Sequence, residues 1–169
     1  MSSRGLEGVV VAETALSEVY GEEGRLIYRG YAIEDLAEHA TFEEVIHLVL
    51  YGELPRRAEL EALRARLAQA RPVEPGIIDL LRRLPAGTHP MAALRTAASA
   101  LAAYDPDAEN MTEEANLRKA ERLTARMITL TAAFDRLRRD REPVEPDPSL
   151  GHAANFLYML TGEEPDPFR

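Results

Sequence analysis

Between Thr88 and Tyr104 the chain reads Thr-His-Pro-Met-Ala-Ala-Leu-Arg-Thr-Ala-Ala-Ser-Ala-Leu-Ala-Ala-Tyr, with Arg95 as its one charged residue. Few folds have a use for such a stretch. Thr88 can cap a helix, its hydroxyl oxygen taking a first-turn backbone N–H. Pro90 fits in that first turn, because the N–H it lacks would have had no intrahelical partner. A helix with no polar face is expected to be enclosed on all sides, and small side chains let neighbouring backbones come close. Two readings fit: a central core helix, or a helix that also packs against a second subunit.

The rest of the chain reads as helices around this one. Leu16–Val19 and Leu26–Tyr28 flank the loop Gly21–Gly24, which predicts a β-hairpin. With the β-branched run Val9–Val11 it places β structure within 9–30. From Ile33 to Gly162 the pattern is helical. Thr41 and Glu44 form a capping-box pair opening a helix that ends at Gly52. Its residues Phe42, Val45, Ile46 and Val49 fall at i, i+3, i+4 and i+7, which predicts their common face as the buried one. His47 lies nearly opposite and reads as a boundary residue. Leu60, Leu63 and Leu67 mark a surface amphipathic helix, and Ile77–Leu84 a short apolar one stopped by Pro85 and Gly87. Asn110 with Glu113 predicts the start of a long helix, uncharged from Met127 to Phe134 and so enclosed there. Ser149 predicts the cap of a last helix closed by Gly162.

The 169 residues suffice for one domain with a real core, burying about 70% of the surface of the unfolded chain. A net charge of -9 argues against nucleic acid as a ligand, since a binder must neutralise phosphates with a basic face. The arginine pairs 56–57, 82–83 and 138–139 are interleaved with acids and read as solvated faces. Without cysteine there is neither a disulfide framework nor a thiolate metal site, in keeping with a reducing cytoplasm. The N-terminus carries no apolar signal-peptide core, and no apolar run is long enough to span a bilayer. Cytoplasmic is the expected location.

Chemistry is hard to find in these residues. No G-x-G-x-x-G, Walker loop, G-x-S-x-G elbow or H-E-x-x-H is present. His39, His47, His89 and His152 include no i, i+4 pair, so a helix-borne metal site has little support. His152 and Asn155 share one helix face and are expected to be a buried hydrogen-bonded pair.

Four stretches carry a resemblance. Gly24–Ala37 (Gly-Arg-Leu-Ile-Tyr-Arg-Gly-Tyr-Ala-Ile-Glu-Asp-Leu-Ala), Thr41–Val45 with Leu50–Pro55, His89–Ala97, and His152–Pro165 occur in the order found in bacterial citrate synthases and 2-methylcitrate synthases. The chain resembles the N-terminal part of that family's large domain. The fold this implies is mainly α with a small N-terminal β-hairpin, as one domain over 1–169. The family condenses acetyl-CoA or propionyl-CoA with oxaloacetate. A histidine and an aspartate handle the acyl α-proton, a second histidine polarises the oxaloacetate carbonyl, and arginines hold its carboxylates. The matching motifs His-Glu-Leu-Asn, His-Gly-Gly and Gly-His-Arg-Val-Tyr are not in these residues.

Carried over residue by residue, the resemblance yields no catalytic, cofactor-binding or metal position, and His89 and His152 match structural positions. Acyl-CoA, a substrate of the family, is not expected to bind this chain tightly. The chain is therefore expected to be inactive alone, or one part of a split enzyme completed by a chain carrying the missing half. The other reading is a non-catalytic helical interaction or regulatory protein that pairs with a full-length synthase. In the family, the helices matching Met91–Tyr104 and Asn110–Arg139 lie across a two-fold dimer axis. That implies a homo-oligomer with candidate interface residues Met91, Leu94, Ala98, Leu101, Met127, Leu130 and Phe134, and no nucleic-acid or membrane partner.

Overall fold

The computed structural model describes residues 9, 10 and 12–166. They form two compact units, Met1–Pro55 and Arg56–Arg169.

In the first unit β1 (Ser17–Tyr20) and β2 (Arg25–Tyr28) pair antiparallel, with Ser17 opposite Tyr28 and Tyr20 opposite Arg25. Gly24 takes a φ of 66° in the loop between them. The Arg25 guanidinium lies 4.2 Å from the centre of the Tyr20 ring. The sequence reading missed a third strand, β3 (Tyr31–Ala32), antiparallel to β2. Arg29 and Gly30 join the two with φ of 48° and 88°, a pair of left-handed residues of the kind a two-residue hairpin turn requires. Val9 and Val10 are exposed and belong to no strand, which corrects the expectation of β structure there. Val11 lies outside the described residues.

Helix α1 (Ile33–His39) packs on β2 and β3. Helix α2 (Phe42–Tyr51) has the expected capping box: Thr41 Oγ1 accepts from the Glu44 N–H, and Glu44 Oε2 accepts from the Thr41 N–H at 2.6 Å. Gly52 closes it with a φ of 92°. Its buried face differs from the predicted one. Glu43, Ile46, His47 and Leu48 are buried, while Phe42 is 54% exposed. Phe42–Tyr51 is apolar around most of its circumference, so a single i, i+3, i+4, i+7 match does not fix which side turns inward. His47 is an interior residue, its Nδ1 2.8 Å from the Glu53 carbonyl oxygen.

The second unit is built on α6 (Glu113–Leu137), a helix of 25 residues. Against it pack α3 (Arg57–Ala70), α4 (Pro75–Arg83), α5 (Pro90–Leu101) and α7 (His152–Thr161). One core cluster joins Ile77 and Leu81 of α4, Ala93, Ala97 and Leu101 of α5, and Leu130, Ala133 and Phe134 of α6. The alanines set the spacing: Ala93 and Ala97 are wholly buried in the α4–α5–α6 core, where their small side chains allow close helix packing. Leu63 and Leu67 of α3 and Met159 of α7 are likewise buried. The half of α6 from Met127 to Phe134 is enclosed as expected, with Thr129, Leu130, Ala132, Ala133 and Phe134 all buried.

Helix α5 itself is only half enclosed. Met91 is 65% exposed, and Arg95, Thr96 and Ser99 also face outward, so the expectation of burial on every side does not hold in this chain. Its cap is His89, whose Nδ1 accepts from the Met91 N–H at 3.2 Å. Thr88 lies one residue outside, its N–H bonded to the Pro85 carbonyl. The other predicted caps move for a similar reason. Thr112 caps α6, while Asn110 Oδ1 accepts from the Thr112 N–H at 3.1 Å in the turn before it. Gly151 precedes α7, and Ser149 turns instead onto Asp147 Oδ1. In both cases a residue suited to capping is used in an Asx-type turn just ahead of the helix.

Candidate functional site

The densest group of charged side chains in the second unit lies where α5 passes into α6. A short 3₁₀ turn (Ala102–Tyr104) follows α5, and Asp105 then folds the chain back, its Oδ1 accepting from the Asp107 N–H at 2.8 Å. On α6, Arg118, Arg122 and Arg126 recur every four residues and so share one face. Arg122 forks onto Asp105, with Nε to Oδ2 at 3.0 Å and Nη2 to Oδ1 at 2.6 Å. Its Nη2 also reaches Asp107 Oδ2 at 2.8 Å. Arg118 grips the same Asp107 carboxylate at 3.1 and 2.7 Å. Lys119 Nζ donates to the Asn110 carbonyl at 2.7 Å. Arg126 donates to Glu74 of the segment ahead of α4 at 3.1 Å.

These pairings shift the titrations of their members. The Arg118 hydrogen bonds, then those of Arg122, hold the Asp107 carboxyl far below the usual carboxylate range. Arg122 lowers Asp105 in the same way, against its partial burial. Arg118 and Arg122 are raised in return, first by their bonds to Asp107 and Asp105 respectively. Each group is thus fixed in its charged form, which suits it to positioning a loop and unsuits it to proton transfer. Beside the network is a cleft of about 220 Å³ whose apolar wall includes Ala98, Leu101 and Leu123 and whose rim includes Glu109 and Lys119.

A second polar cluster is interior. Arg71, just past the end of α3, is 2% exposed. Its Nη1 donates to the carbonyls of Asp147 and Leu150 at 3.2 and 2.7 Å. Its own carbonyl accepts from Thr129 Oγ1 at 2.8 Å. Asn155 Nδ2 also donates to the Asp147 carbonyl. His152 and Asn155 are both buried as expected, but the asparagine amide donates to the loop before α7 rather than to the histidine. This cluster fastens the loop 138–151 to α3 and α6.

The remaining histidines are structurally placed: His47 on a carbonyl, His89 at a helix cap, and His39 4.0 Å from Glu38 with both side chains more than two-thirds exposed. Among the described residues no group of three or more His, Cys, Asp or Glu is arranged to hold a metal ion, and no helix is long and apolar enough to cross a membrane. Of the candidate interface residues, Leu101, Leu130 and Phe134 belong to the core of this chain. Leu94 and Met127 are half-buried against that core, Ala98 is half-buried beside the cleft, and Met91 is exposed.

Against known proteins, residues 5–169 match the family model described as citrate synthase, C-terminal domain. The chain belongs to the citrate synthase family. It is 53% identical to the citrate synthase of Haloferax volcanii over 167 residues, covering 96% of this chain and 44% of that protein. To citrate synthase 2 of Bacillus subtilis it is 47% identical, covering 98% and 44%. To the 2-methylcitrate synthase of Mycobacterium tuberculosis strain H37Rv it is 44% identical, covering 96% and 41%. Among solved structures, the citrate synthase of Pyrobaculum aerophilum superposes with a TM-score of 0.89 at 44% identity, over 96% of this chain and 43% of that one. That of Thermoplasma acidophilum, a ternary complex with carboxymethyl coenzyme A and oxaloacetate, gives 0.91 at 28% identity, over 99% and 44%. The chain thus spans less than half the length of the synthases it matches. The resemblance read from Gly24–Ala37, His89–Ala97 and His152–Pro165 is borne out, as is the mainly helical fold with a small antiparallel sheet.

The Arg118–Arg122 network and Arg71 escaped the sequence reading. The available signal for the first was the spacing of arginines at 118, 122 and 126 after an Asp-Pro-Asp turn. For Arg71 there was none.

Proposed function

We propose that these residues form the helical framework of an enzyme that condenses an acyl-CoA with oxaloacetate, and that they supply support for the site instead of its reacting groups. The observation that carries the reading is 53% identity to a citrate synthase over 96% of this chain. Enolising a thioester requires a positioned base and a stabilised oxygen. Among the described residues the Asp105 and Asp107 carboxylates are locked in ion pairs with Arg122 and Arg118. The same reading places the framework in the cytoplasm. It also has the exposed side of α5, with Met91 and the half-buried Leu94, pack against a second copy or a partner chain, as an exposed apolar surface favours.

The test is thiol release from acetyl-CoA or propionyl-CoA with oxaloacetate. The purified 169-residue chain is expected to release no CoA above background, and to support turnover when combined with a polypeptide supplying the rest of a synthase's length. Turnover by the chain alone at a normal enzymatic rate overturns the framework reading, and no turnover in the reconstituted mixture overturns the functional one. Native mass of the chain tests the second copy: a multiple of 18.8 kDa means self-association, and a monomer mass rules the second copy out and leaves the partner chain.

A further inference from the structure

The segment 102–112, joining α5 to α6, is held unlike the rest of its unit. None of its residues is buried. Immediately before it Leu101 is 4% exposed, and shortly after it Ala115 is wholly buried. The segment is therefore anchored firmly at both ends, and in between it has the half-exposed Tyr104 lying against Gly76 of α4 but no buried apolar side chain. Its backbone bonds are internal: Asp105 N–H to Ala102, Ala108 N–H to Asp105 and Asn110 N–H to Asp107. What fixes it to α6 is the set of side-chain grips already described: Arg122 on Asp105 and Asp107, Arg118 on Asp107, and Lys119 on the Asn110 carbonyl. Asp107 is the only one of these loop groups gripped by two guanidinium groups at once. Asp105, Ala108 and Glu109 of this segment form one wall of the 220 Å³ cleft, and α5 and α6 form the others.

We propose that residues 102–112 are a flap that swings away from α6 as a unit, opening the cleft while α5 and α6 stay packed, and that Asp107 is its latch. Segments with few buried apolar contacts are those that open locally at low free energy, and the internal turns let this one move without unfolding. The latch is ionic, and the Arg118 side chain on its outer side is half exposed, so salt that screens over a few ångströms loosens that grip.

The chain contains no cysteine, so a single Ala98→Cys substitution places one thiol in the cleft. Its rate of reaction with a water-soluble disulfide reagent reads the opening. Adding Asp107→Asn is expected to raise that rate about ten-fold, the loss of hydrogen bonds to charged groups being worth at least that factor. In the Ala98→Cys protein alone, 1 M sodium chloride is expected to raise the rate several-fold beyond its effect on free cysteine. Hydrogen exchange of the buried α5 and α6 amides is expected to stay unchanged in both cases. An unchanged thiol rate in both arms overturns the proposal, as does a faster rate accompanied by lost protection of the two helices under salt. Should Asp107→Asn loosen the whole unit, the salt arm on the intact latch decides.

Discussion

Arg71 shows what one side chain does inside this bundle. It is among the largest fully buried groups, and a guanidinium is tolerated there because carbonyls of the loop before α7 accept its protons. Removing it strands those acceptors and leaves a cavity, and losing one member of a buried polar set costs more than the set contributes net. Arg71→Leu is expected to lower unfolding stability by about 3 kcal/mol, measured as a fall in the urea midpoint at unchanged slope. A loss below about 1 kcal/mol would mean that the loop carbonyls find water instead. No local pattern hints at this role. Arg71 follows a charged, amphipathic helix and precedes Pro72, which reads as a helix end in solvent. Its acceptors lie 76 and 79 residues further on, beyond the reach of any local pattern.

At the scale of elements, legibility tracks the distance between partners. The Thr41–Glu44 capping box could be read because both halves of it lie within four residues. The caps of α5, α6 and α7 lie one or two residues beyond Thr88, Asn110 and Ser149, which have the right chemistry at the wrong step, and polar turns ahead of a helix use the same side chains as caps. Strand β3 has two residues, too few to show alternation. The ion pairs of Arg118 and Arg122 span 11 to 17 residues, too far for local spacing to name the partners. The alanine content of α5, by contrast, carried a true message about close approach, although only for the side bearing Ala93 and Ala97. Ala97→Leu is expected to force α5 from α6 and cost about 1–3 kcal/mol by overpacking. Ala98→Leu, one step round toward the cleft, is expected to be nearly neutral. Thermal unfolding of the two variants checks the contrast, and equal losses would show that the close approach is not at Ala97.

Over the whole molecule, the net charge of -9 conceals local matching. Asp105, Asp107 and Asp147 all have lowered pKa values, from the bonds of Arg122, of Arg118 and of Ser149 respectively. The unfolded chain, with ordinary carboxylates near 3.9, takes up protons at higher pH than the folded one does. Stability from these groups is therefore complete above the unfolded value and is lost as pH falls through the folded values. The urea midpoint is expected to hold between pH 7 and 5 and to fall from pH 5 toward 3. Asp107→Asn is expected to flatten that fall, and an unaltered acid slope would assign the sensitivity to other carboxylates.

The position of α6 in the chain also governs how the molecule is made. Its four packing partners include α3, α4 and α5, all synthesised before it. From the completion of Ala70 at the end of α3 to that of Leu137 at the end of α6, a ribosome adding about 5–20 residues per second needs about 3–13 s. For that interval Leu63 and Leu67 lack the α6 surface against which α3 packs. The nascent chain is thus expected to be most prone to misassociation between the synthesis of α3 and that of α6.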